Sequence, residues 1–158
     1  MPGTPKVYVE TTVISYLTAW PSAEVVTAAH QQITKEWWQK RDEFDLFVSE
    51  LVVREAQVGD PQAAKLRLDL IAELNLLSIN DTATELAESI SRELHLPDRA
   101  STDALHIALS VVHGMDYLIT WNCRHIANAR HRQRIENICD AQGYESPVIC
   151  TPEELKEK

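Results

Sequence analysis

Apolar positions along the chain switch repeatedly between two spacings, and the switch predicts alternating strands and helices. "KVYVE" is a short apolar run of the kind a buried strand makes, and "TTVISYLTAW" has helical spacing for a turn or two before Pro21. "SAEVVTAAHQQITKEWWQKRDEF" predicts a long helix with Ser22 as its N-cap. "DLFVS" follows as a second strand, then "ELVVREAQ" as a short helix ended by "VGDP". "QAAKLRLDLIAEL" is a helix and "NLLSIN" a third strand. "DTATELAESISREL" is a helix opened by Asp81, and "STDALHIALSVVHG" another closed by Gly114. "DYLITW" is the fourth strand, "RHIANARHRQRIENICDAQG" a helix and "PVIC" the fifth strand. The tail "TPEELKEK" starts as a helix, with Thr151 as cap and Pro152 at its first position. Strands separated by helices throughout predict an α/β fold with a mainly parallel sheet covered on both faces. With no repeat, linker or composition break, residues 1–158 are expected to form one domain.

Charge narrows the functional classes. Fifteen Lys and Arg against 24 Asp and Glu leave a formal charge of −9, so general attraction to a polyanion is not built in. An anionic substrate needs a local basic patch or bound cations. The cysteines Cys123, Cys139 and Cys150 form no CxxC pair, which argues against a disulfide framework and a zinc ribbon. Glu10 interrupts any signal-peptide core, and "ALHIALSVVHGM" is too short to span a membrane. A reduced, cytoplasmic protein with no membrane association is the expectation.

Against that background the acids stand out. Glu10 falls at the carboxyl end of the first strand and Asn122 just past the end of the fourth. In open α/β sheets ligands collect outside the carboxyl ends of strands, where the strand order reverses. If strands one and four are neighbours, Glu10 and Asn122 face one crevice. Asp103 belongs to the first turn of the helix feeding strand four, where the dipole favours an anion, and Glu55 lies on the short helix after strand two. Acids converging there repel one another unless cations neutralise them, and oxygen donors with waters suit Mg²⁺ or Mn²⁺. Such ions activate water and stabilise charge on a phosphodiester. Each acid taken singly has an ordinary explanation as well: a solvated strand end, a surface acid, a helix start or, for Asn122, a turn.

Taken in order, these segments resemble the PIN-domain family, specifically the VapC-type toxin ribonucleases. The matching stretches are "VYVETTVISYL", "SELVVREA" from Ser49 to Glu55, "TDALHIALSVVHGMDYL" opening at Asp103, "LITWN" and the final "TPEEL". The resemblance implies a three-layer α/β/α domain with a five-stranded parallel sheet of order 3-2-1-4-5. It also implies Mg²⁺- or Mn²⁺-dependent endonuclease activity on RNA, a cognate antitoxin partner and a homodimer. Carried over residue by residue, Glu10, Glu55 and Asp103 match the acidic ligands, with Asn122 at a fourth position where many members have Asp. Thr11 or Thr12 would orient the first carboxylate or a water, and Thr120 would support the site from strand four. Two departures stand out: Glu10 reaches ~1.5 Å further than the usual Asp, and the amide of Asn122 adds no charge. One firmly held ion is therefore expected, with a second completed by substrate phosphates, and a PIN-like domain with weakened catalysis, acting as a nucleic-acid or protein binding module, is the alternative.

Four arginines, Arg124, Arg130, Arg132 and Arg134, follow the fourth strand without an intervening acid and form a candidate RNA-binding strip; the other reading is a solvated helix face. His125 adjoins Asn122 and can reach a phosphate. His106, one helical turn after Asp103, allows a metal role, but a half-buried hydrogen-bonded imidazole is the favoured expectation. Of Trp37 and Trp38, one should be buried, leaving the other packed at the surface or available to a partner.

Overall fold

The computed structural model describes residues 3–156. Its sheet is built around β1 (Lys6–Val9), whose Val7, Tyr8 and Val9 are all fully buried. Consecutive strand residues point to opposite faces, so burial of all three means that both faces of the sheet are covered. β1 pairs in parallel with β2 (Asp45–Ser49) on one side and β4 (Tyr117–Ile119) on the other. Beyond them lie β3 (Asn75–Leu77) and β5 (Val148–Cys150), giving the order β3-β2-β1-β4-β5, all parallel. The chain leaves β1 for β2 on one side and later returns to add β4 on the other. This reversal opens a crevice at the carboxyl ends of β1 and β4.

The helices fall into two packing groups. α1 (Thr11–Thr18) contacts α2 (Val25–Trp38), α3 (Glu50–Ala56) and α4 (Pro61–Ile71), and α2 contacts α8 (Pro152–Lys156). α5 (Asp81–Glu93) packs on α6 (Ser101–Val112) and α7 (Ala129–Ala141). α6 ends before Gly114, whose φ of 70° lies in the left-handed region that glycine adopts freely. Among the described residues no helix is long and apolar enough to cross a membrane.

The starts of two predicted helices, α2 and α7, move, each for a capping reason. α2 starts at Val25, because the Glu24 carboxylate accepts the N–H groups of Val26 and Thr27, both at 2.9 Å. Ser22, the predicted cap, instead accepts the Glu24 N–H at 3.1 Å. α5 opens at Asp81 as expected, with Asn80 as its cap through the Ala83 N–H at 2.8 Å. α7 starts at Ala129 rather than Arg124, capped by Asn128. The preceding segment is a series of turns in which the Asn122 carbonyl accepts from Ile126 and Ala127, both buried. At α8 the Thr151 N–H donates to Glu154 at 3.0 Å, the return bond of a capping box.

Trp37 is fully buried, and Trp38 is half-buried beneath the Arg41 guanidinium, 4.9 Å from its ring. The strongly exposed tryptophan is Trp20, at 89%.

Candidate metal centre at the β1–β4 crevice

The parallel register pairs Val9 with Ile119, so the next residues, Glu10 and Thr120, lie side by side past the strand ends. The Glu10 N–H extends the ladder to the Ile119 carbonyl at 3.1 Å before the chain turns into α1. The Glu10 side chain is only 4% exposed. Its Oε1 accepts from Thr120 Oγ1 at 2.6 Å and Thr12 Oγ1 at 2.5 Å. Each threonine accepts in turn from the strand-four exit: Thr120 from the Asn122 N–H and Thr12 from the Trp121 N–H, both at 2.9 Å. Two hydroxyls thus fix one oxygen of a nearly buried carboxylate and tie it to the loop carrying Asn122.

Glu55, near the end of α3, approaches from β2's side. Its Oε1 accepts from Thr11 Oγ1 at 2.5 Å and lies 2.7 Å from His106 Nε2. His106 is 1% exposed, and its Nε2 is also 3.9 Å from Glu10 Oε2, so the imidazole lies between the two carboxylates. Its Nδ1 lies 2.7 Å from the Tyr8 hydroxyl, which is 2.7 Å from Ser49 Oγ. Burial opposes the imidazolium, but the Glu55 hydrogen bond and the charges of Glu10, Glu55 and Asp103 outweigh it and hold His106 above its ordinary pKa. Burial likewise works against the Glu55 carboxylate, and the same bond together with Thr11 overcomes it, lowering the Glu55 pKa. Burial, reinforced by Glu10 and Glu55, keeps the Tyr8 phenol well above its normal pKa and hence neutral.

Asp103, on the first turn of α6, completes the opposite wall. Its Oδ2 is held at 2.8 Å by His125 Nδ1, and His125 is itself placed by its N–H donating to Asn122 Oδ1 at 3.0 Å. Glu10, Thr11, Thr12, Ser15, Tyr16, Glu55, Asp103 and Asn122 line one cleft of ≈ 320 Å³. A larger cavity of ≈ 500 Å³ lies between α5 and α6, but it does not contain the donor cluster. Among the described residues the donor atoms within 4.8 Å of one another belong to Glu10, Glu55 and His106; Asp103 lines the same cleft outside that tight group.

No family model matches the sequence, and no curated protein does. Solved structures do match. A chain of VapBC2 from Rickettsia felis, in a structure with a DNA fragment from their promoter, aligns over 92% of this chain and 98% of its own. That alignment has a TM-score of 0.61 and 13% identity. Mycobacterium tuberculosis VapC20, a sarcin–ricin loop cleaving toxin, aligns over 87% of this chain and 95% of its own, with a TM-score of 0.55 and 14% identity. The chain has the VapC-type PIN-domain fold.

On this PIN scaffold the residues lining the cleft fit a divalent cation in chemistry: Glu10, Glu55, Asp103 and Asn122 all carry side-chain oxygens, although the Asn122 amide oxygen already accepts the His125 N–H. Glu10 Oε2, unlike Oε1, accepts no hydrogen bond among the described residues. Sequence reasoning did not foresee the chain of Ser49, Tyr8 and His106 behind the acids. Its signal was a tyrosine inside the buried run "VYV", since a buried phenol seeks a partner. Ser15 and Tyr16 follow Thr11 and Thr12 by four residues on α1, a spacing that places them on the same face.

The four arginines do not share one surface. Arg130 and Arg134 are one turn apart on α7, while Arg132, two residues from each, turns to the other side and lines a cavity with Glu136 and Val148. Arg124 is exposed in the turn segment beside His125, and Arg134 borders a groove with Glu93.

Two measurements check the local structure. Thr120→Val removes a buried donor from Glu10 and an acceptor from Asn122, and should cost about 1.5–3 kcal/mol, read as a lower denaturation midpoint at unchanged slope. The thiols should resist alkylation in the folded state. Burial raises Cys139 to about 11 and Cys150 to about 12, and raises the exposed Cys123 as well. Mass spectrometry at neutral pH should find slow labelling at Cys123 alone until the protein unfolds, since thiolate is the reactive form.

Proposed function

We propose that the cleft is the active centre of a Mg²⁺- or Mn²⁺-dependent endoribonuclease, the toxin of a toxin–antitoxin pair. The observation carrying this reading is the meeting of Glu10, Glu55, Asp103 and Asn122 from four separate stretches of chain in one crevice at the strand-order switch point. The fold shared with a sarcin–ricin loop cleaving toxin and with a VapBC2 chain supports it. Glu10, Glu55, Asp103 and Asn122 would hold the cation. When bound, it would lower the pKa of a water and neutralise charge building up on the phosphodiester.

The chain's own residues have defined tasks in that reaction. Thr12 and Thr120 keep Glu10 Oε1 in place and leave Oε2 directed into the site. Thr11 and His106 hold Glu55, and His125 holds Asp103. Arg124 and His125, on the loop past β4, together with the exposed Arg130, would contact RNA phosphates, which the acidic chain otherwise repels. A water attacks phosphorus in line, leaving a 5′-phosphate and a 3′-hydroxyl. The antitoxin would cover apolar surface such as Trp20 and Val25, 89% and 80% exposed, and the toxin would act as a cytoplasmic homodimer.

The test is cleavage of RNA and of DNA of the same sequence with Mn²⁺ and then with a chelator. RNA cleavage that the chelator abolishes is expected; equal cleavage of DNA would contradict the RNA assignment. Asn122 adds no charge and caps a turn, which favours a second reading, a binding module with little catalysis. No Mn²⁺ binding at millimolar concentration by folded protein would decide for it. Asn122→Asp should strengthen a second cation site, raising Mn²⁺ affinity or stoichiometry in calorimetry.

A further inference from the structure

We infer that His106 is itself a ligand of the cation, through Nε2, so that the centre is a mixed nitrogen–oxygen site favouring first-row transition ions over Mg²⁺. The inference rests on the cation-dependent reading above and specifies which ion that site takes.

Geometry carries it. Two donor atoms each ~2.0–2.2 Å from a common ion stand ~3–4.3 Å apart when adjacent or opposite in its coordination shell. His106 Nε2 and Glu10 Oε2, 3.9 Å apart, already satisfy that spacing. His106 Nε2 and Glu55 Oε1, at 2.7 Å, need to open by only a few tenths of an ångström. Glu10 Oε2 supplies an independent sign that something is to be received. It belongs to a side chain only 4% exposed, its companion oxygen takes two hydroxyls, and it accepts none among the described residues. Oε2 is not sealed off, so this carboxylate is open on one side only, toward the cleft from which a cation can reach it.

The support behind the imidazole is what a ligating histidine requires. A ring that binds metal through Nε2 carries its proton on Nδ1 and donates it to an outer partner. The Tyr8 oxygen lies 2.7 Å from Nδ1, and the Tyr8 hydroxyl then donates to Ser49 Oγ at 2.7 Å, which also accepts from the Val52 N–H at 3.3 Å. Ser49 is the N-cap of α3, the helix bearing Glu55, so one hydroxyl joins the Tyr8–His106 pair to the start of that helix. The Nε2 proton now facing Glu55 passes to solvent on binding, as for any imidazole that takes a metal. Mg²⁺ demands oxygen donors, whereas an imidazole nitrogen raises affinity for transition ions.

The test is pulsed electron paramagnetic resonance of the whole protein with one equivalent of Mn²⁺, followed by Mg²⁺ competition. Modulation from a directly bound ¹⁴N is expected in the wild type, changing to the ¹⁵N pattern when histidine is ¹⁵N-labelled, and absent in His106→Gln. The Mg²⁺ concentration needed to displace Mn²⁺ should fall at least tenfold in that variant. Should His106→Gln not fold, His125→Gln decides. Modulation that persists there assigns the nitrogen to His106, and modulation that disappears overturns the inference. Mn²⁺ bound without nitrogen coupling also overturns it and leaves the endoribonuclease reading standing. Absence of Mn²⁺ binding by the wild type overturns both.

Discussion

Glu10→Gln and Asp103→Asn should each lower Mn²⁺-dependent RNA cleavage by at least about a hundredfold, with fold and RNA affinity nearly unchanged. Each substitution keeps shape and removes one negative charge. In the first, the amide carbonyl of the introduced glutamine can still accept from Thr12 and Thr120; in the second, an amide at position 103 still reaches His125. Several kcal/mol of charge stabilisation disappear with the carboxylate, and each 1.36 kcal/mol is a factor of ten in rate. Single-turnover cleavage separates this loss from binding. Arg130→Ala should do the reverse, weakening RNA binding and its salt dependence while leaving the single-turnover rate at saturating RNA nearly intact. Unchanged cleavage by both acid variants would remove the acids from the chemistry.

The second large effect is on stability. Glu10 is nearly buried, and Glu55 and Asp103 share its cleft, so the ion-free protein confines like charges that a bound divalent cation would relieve. A ligand at a hundred times its dissociation constant adds about 2.7 kcal/mol to the folded state. For a chain of this size that raises Tm by about 5–11 °C. Scanning calorimetry with and without Mn²⁺ should show this shift in the wild type and little of it in Glu10→Gln. An equal shift in both would place the stabilising ion elsewhere on this acidic chain.

The sheet was legible because its signal is local. Runs such as "VYV" and "LIT" next to periodic helices announce parallel strands, and the resemblance supplied the order that the structure adopts. Boundaries were legible only where the cap is the usual residue. At α2 a glutamate takes the role that Ser22 would ordinarily fill, and at α7 Asn128 caps after a turn segment whose apolar residues mimic helical spacing. The placement of Glu10, Glu55, Asp103 and Asn122 around one cleft follows from strand order, because the ends of β1 and β4 become neighbours. A hydrogen-bonded His106 was expected, although it is fully rather than half buried, but its partner and that of His125 were beyond sequence reading, since each depends on a distance across the fold: 2.7 Å to Glu55 and 2.8 Å to Asp103. The arginine strip shows the opposite effect. Residues close in sequence separate once they enter a helix, and Arg132 turns away from Arg130 and Arg134.

The proposed cleavage requires a divalent cation where β1 and β4 end. Anomalous scattering from crystals soaked in Mn²⁺ locates that cation directly. A peak between Glu10 and Glu55, on the side facing Asp103, is the expected result. A cleft with these side chains placed as described and no peak, at a concentration that saturates RNA cleavage, would contradict it.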